Sequence, residues 1–103
     1  MIIRMRIVEL TYLEDASVFE SVVGALGFEI QLHELRTCPG ARHYHLKKPG
    51  HVGTLEATWW PKARRFWLQI HAKRGAPWQE ACIAEIERRF NIGAHEPPNL
   101  SDS

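Results

Sequence analysis

Val18, Phe19, Val22, Val23 and Leu26 fall on one stripe at helical spacing. Asp15 stands where a cap for that helix belongs. Gly27 suits a left-handed closing residue, and Phe28 is placed to pack back on the last turn. Before this helix, residues 2–12 are rich in Ile, Val, Leu and Tyr and read as a strand. After it, Phe28, Ile30 and Leu32 alternate with Glu29, Gln31 and His33, the period of a half-buried strand. Pro39-Gly40 makes a turn, residues 42–47 form a short strand, and Lys48-Pro49-Gly50-His51 makes a second turn. Residues 52–60 and 65–72 are two further strands around Pro61-Lys62-Ala63-Arg64. Pro77 fits the first position of a closing helix whose stripe is Trp78, Cys82, Ile86 and Phe90, with Ile83 beside it. Glu80 near its start and Arg88-Arg89 near its end suit the helix dipole. The order β-α-β-β-β-β-α predicts an α+β fold, a two-layer sandwich of mostly antiparallel sheet with both helices on one face. Residues 1–92 are expected to form one domain, and residues 93–103, which lose all periodicity, a mobile C-terminal tail.

The strands can be registered from their own patterns. Pairing Pro61 with Arg64 sets Trp59 opposite Phe66, Ala57 opposite Leu68 and Leu55 opposite Ile70, an all-apolar face. The other face then pairs Trp60 with Arg65, Thr58 with Trp67, Glu56 with Gln69 and Thr54 with His71. A slip of one residue would scramble both faces. A two-residue turn at Pro49-Gly50 sets Tyr44 opposite Leu55, His43 opposite Glu56 and His45 opposite Thr54. Pro-Gly favours a type II turn, whose twist suits such a hairpin poorly, and a loop longer by an even number keeps the same alternation.

Charge sharpens this picture. Residues 36–74 carry nine cations (Arg36, Arg42, Lys47, Lys48, Lys62, Arg64, Arg65, Lys73 and Arg74) against one acid, Glu56. The flanking segments are acidic, so the near-neutral total hides a polarised chain. The basic segment also holds Trp59, Trp60 and Trp67, and His43, His45, His51 and His71. Cys38 and Cys82 are far apart and belong to no CxxC pair, which fits two free thiols in a reducing cytoplasm. The N-terminus lacks an apolar signal region and no apolar run approaches the ~20 residues needed to span a bilayer, so the expected location is the cytoplasm, with no membrane partner.

Two kinds of chemistry are set out on the outward sheet face. Trp60 and Trp67 supply stacking platforms, Arg64, Arg65, Lys73 and Arg74 phosphate contacts, and His71 an assisting group. The function expected first is therefore binding of an anionic partner, single-stranded RNA or DNA, by a small domain without a cofactor. The same face could instead bury its tryptophans in a homodimer or against an acidic protein. Separately, His43, His45 and His71 converge on Glu56, a set able to hold a divalent metal such as Zn²⁺ or to act as an acid–base pair. Motifs for a nucleophilic enzyme, a P-loop or a dinucleotide site are missing, so no catalytic residue is assigned.

Two likenesses name no family for the chain. The β-α-β-β-β order resembles double-stranded-RNA-binding domains at the level of fold, but their second helix opens with a lysine-rich motif, where this one carries Glu80, Glu85 and Glu87. The run from Phe19 to Glu29 resembles the first helix and second strand of vicinal-oxygen-chelate proteins. Residues 3–10 contain no His to match that family's first-strand metal ligand.

Overall fold

The computed structural model describes residues 5–71 and 76–90. The chain runs β1 (Met5–Glu9), α1 (Ala16–Ala25), β2 (Glu29–His33), β3 (Arg42–Lys47), β4 (Leu55–Trp60), β5 (Arg65–His71) and α2 (Pro77–Phe90). Among the described residues, one antiparallel sheet holds five strands in the order β1-β5-β4-β3-β2. Its inner face meets both helices: Phe19 and Val23 of α1 and Ile83 and Ile86 of α2 share a core with Tyr44, Leu46, Leu55, Ala57, Phe66 and Leu68. The Phe19 ring meets Phe66 edge-on, with centroids 5.0 Å apart. This is the α+β sandwich expected from the element order.

The local signals at α1 work as read. The Asp15 side chain accepts a 3.0 Å hydrogen bond from the Ser17 N–H, satisfying one of the free donors of the first turn. Gly27 takes φ 92°, which only glycine adopts without strain, and turns the chain into β2.

Three expectations are corrected. The β4–β5 register agrees at every pair, from Glu56↔Gln69 to Trp60↔Arg65. The β3–β4 register is shifted by two: Tyr44 faces Ala57, His43 faces Thr58 and His45 faces Glu56. The cause is the turn. Lys48 C=O accepts from His51 N–H with Gly50 at φ 81°, the type II form, and Gly53 at φ 99° lengthens the loop, so β4 starts at Leu55. The shift is even, so inward and outward faces survive.

The second correction is β2, whose side chains are all exposed instead of half buried. Ile30 and Leu32 lie opposite Leu46 and Tyr44, on the inner face, but at the sheet edge they remain 36% and 55% exposed. Val18 is likewise exposed on α1. The third is the buried stripe of α2, which runs Gln79, Ile83 and Ile86, with Trp78 and Cys82 only half buried. Gln79 Oε1 accepts from Ala76 N–H at 2.8 Å while Nε2 donates to Thr54 C=O at 2.7 Å, so a polar residue ties α2 to the start of β4.

Both cysteines are free thiols. No helix among the described residues is long and apolar enough to cross a membrane. The proposed tail 93–103 lies outside the described residues, as do Lys73 and Arg74.

Candidate metal centre on the open sheet face

Strand alternation sends His43, His45, Glu56, Thr58, Trp67, Gln69 and His71 to the face away from the helices. The shifted β3–β4 register makes His45 the direct neighbour of Glu56 and His43 its diagonal one. Even so, His43 makes the closer contact: its Nε2 lies 3.0 Å from Glu56 Oε1, against 3.9 Å for His45 Nε2. His71 approaches the other oxygen, with Nε2 3.3 Å from Oε2. The donor atoms of His43, His45 and Glu56 all lie within 4.8 Å of one another. Edges of a tetrahedral zinc shell with ligand bonds near 2.0–2.1 Å are about 3.3 Å long. The 3.0 Å pair already lies near that spacing, and the wider separations must contract by up to about 1.5 Å to close on one ion.

Burial distinguishes this group from ordinary surface histidines. His43 and Glu56 are each 4% exposed although no helix among the described residues covers this face. Side chains cover it instead. The His45 ring stands 5.1 Å from that of His43 and 4.2 Å from that of His33, centroid to centroid. His45 and His71, at 20% and 42% side-chain exposure, form the solvent edge of the cluster.

A supporting layer fixes the donors. His43 Nδ1 is 2.8 Å from Thr58 Oγ1. With Glu56 ionised, Nε2–H donates to the carboxylate and Nδ1 accepts from the hydroxyl. An ion on Nε2 would replace that proton, and Nδ1–H would then donate to the same oxygen, the orienting contact that ligating histidines need. Gln69 Nε2 reaches Glu56 Oε1 at 3.5 Å, and Gln69 Oε1 accepts from Trp67 Nε1–H at 2.7 Å. Burial alone pushes the Glu56 carboxyl up. The hydrogen bond from His43 and the fields of His71, His45 and His43 outweigh it and hold the carboxyl below the usual carboxylate range. The group is thus an anion inside a ring of imidazoles.

Trp60, Arg64, Arg65 and Trp67, expected to contact an anionic partner, each have contacts within the chain. Trp67 is 7% exposed, correcting its expected place in water. The Arg65 guanidinium lies over its ring at 4.4 Å and also bonds both carboxylate oxygens of Glu9. Trp60 is half buried, its Nε1–H donating to Pro39 C=O at 3.1 Å. Arg64, in the left-handed region at φ 51°, donates to Glu14 at 2.6 Å and covers Tyr12. The acids that hold these cations, Glu14 and Glu9, come from the N-terminal third, outside the basic segment. His33 joins the cluster through β2–β3 pairing opposite His43, a register that hairpin patterns at the chain's centre do not reach.

No protein-family model, curated protein or solved structure matches the chain.

Proposed function

We propose that this domain binds a divalent transition-metal ion, of the zinc class, on its open sheet face through His43, His45 and Glu56. The observation that carries the reading is the convergence of two imidazoles and a buried carboxylate within 4.8 Å. Imidazole and carboxylate together suit Zn²⁺ and its neighbours better than Mg²⁺ or Ca²⁺, which prefer all-oxygen shells. Three protein donors leave one tetrahedral position open toward solvent, the pattern of sites that engage a water or an exogenous ligand. His71, on the far carboxylate oxygen, holds Glu56 in place. Metal analysis after zinc loading and dialysis tests the reading. One equivalent should stay with the wild type and be lost from His43→Ala and Glu56→Gln. Substoichiometric zinc that neither substitution changes would overturn it.

Binding of an anionic partner, single-stranded nucleic acid included, is a second reading of the same face. What supports it is Lys47, exposed on the strand that also carries His43 and His45, together with the open edge at His71. A bound cation would add positive charge at that place. Fluorescence anisotropy with labelled single-stranded RNA, with and without zinc and at two salt concentrations, decides it. Salt-sensitive binding supports the reading, and no binding at low salt ends it.

A further inference from the structure

We propose that β2 pairs edge to edge with the β2 of a second copy of this chain, antiparallel about Gln31, to form a continuous ten-stranded sheet. Among the described residues β2 is an outer strand, paired only with β3. An exposed edge offers a row of backbone donors and acceptors, and strands that stay single carry lysine, proline, bulges or inward charges to prevent pairing. The segment Glu29-Ile30-Gln31-Leu32-His33 has none of these on its inner face, where Ile30 and Leu32 are 36% and 55% exposed.

Its sequence is complementary to itself. A two-fold axis at Gln31 sets Ile30 opposite Leu32 on the inner face, twice over. On the outer face it sets Glu29 opposite His33, also twice, and Gln31 opposite its own copy. Apolar meets apolar and acid meets imidazole, which is the favourable cross-strand arrangement. The opposite edge fails the same test. Pairing β1 about Ile7 would set Arg6 against Val8, and Arg6 is already bonded to Glu80 on α2. The His33 ring stacks near His45, so each copy would bring its Glu29 carboxylate to the rim of the other's histidine cluster. The inference stands on strand geometry and is independent of whether the cluster holds a metal.

Two five-residue strands bury far less than the roughly 2,000 Å² and more of obligate dimers, so the association is a reversible one. Sedimentation equilibrium of the full chain over a wide concentration range should show a monomer–dimer equilibrium. Gln31→Lys, at an exposed position, places two like charges on the axis and should raise the dissociation constant at least about tenfold. In a Cys82→Ser background, Gln31→Cys should cross-link to a dimer on mild oxidation, because residues facing across such an axis lie at about 5.5 Å or less between Cα atoms. Glu29→Cys should not, since its two copies would stand about 13 Å apart along the strands. A chain that stays monomeric at every concentration overturns the proposal. So does a dimer that Gln31→Lys leaves intact and Gln31→Cys fails to trap, since the second copy would then sit elsewhere.

Discussion

Glu56 Oε1 lies 3.0 Å from His43 Nε2, and both residues are 4% exposed on the sheet face away from α1 and α2. A carboxylate so far from water is strongly penalised unless its lone pairs find donors. Imidazoles and the Gln69 amide supply them here. An ion held at this point would link three strands, β3, β4 and, through His71, β5. Zinc added in excess of its dissociation constant should therefore raise the thermal midpoint of the wild type, by mass action on the folded state. Differential scanning fluorimetry should show this rise, its reversal by a chelator, and no response in Glu56→Gln. An equal response in both proteins would place the ion elsewhere.

Tyr44 joins the sheet to α1. Its hydroxyl donates to Glu20 Oε2 at 2.6 Å, and the same oxygen accepts from Arg42 at 3.1 Å. Burial pushes the Tyr44 phenol well above its usual 10.0, helped by the hydrogen bond to Glu20 and by that residue's charge. A raised folded pKa means that the unfolded chain ionises first. Stability from this group is complete below about pH 10 and falls as pH climbs toward the folded value. Tyr44→Phe should cost about 1–2 kcal/mol at neutral pH and flatten the alkaline limb of the stability curve. Urea titrations between pH 8 and 11 measure both.

Asp15 gives the opposite sign. Hydrogen bonding to the Ser17 backbone N–H holds its carboxyl below the ordinary value of 3.8. The folded state therefore favours the anion, and the cap's contribution is full above the unfolded pKa and disappears as pH falls through the folded one. Asp15→Ala should lower the thermal midpoint at pH 7, with the gap to wild type narrowing below pH 4. A gap independent of pH would mean that the charged cap is not its source.

Gln79 is 1% exposed and bonds at both ends of its amide. Gln79→Leu keeps the size but strands the Thr54 carbonyl and the Ala76 N–H. The expected loss is about 1–3 kcal/mol in chemical denaturation, with amide exchange at the start of α2 accelerated. A neutral or stabilising effect would show that those backbone groups find other partners.

Much of this architecture is legible in the chain because period and punctuation agree. The stripe from Phe19 to Val23, the Asp15 cap and Gly27 each mark one feature of α1 independently. The β4–β5 register follows from apolar residues on both strands of a short, tight connection. The β3–β4 register does not, because it depends on how many residues a glycine-rich loop consumes, and side-chain periodicity is blind to even shifts. The histidine cluster is legible for the same reason: an even shift exchanges His43 and His45 as neighbours of Glu56 but leaves all three on one face. What alternation cannot show is coverage. Trp67 is outward, as its position demands, yet Arg65 from its own strand closes over it. Ile30 and Leu32 are inward, yet remain accessible at the sheet edge.

The strand order also bears on the course of folding. β3, β4 and β5 follow one another in sequence and in space, so their pairing closes only short loops, whereas β1 meets β5 from more than sixty residues away along the chain, Met5 opposite His71. Nearby pairings form quickly and distant ones late. The first strand is thus a clasp fastened after the meander has assembled, and the set of His43, His45, Glu56 and His71, carried by β3, β4 and β5, is put together before the clasp shuts.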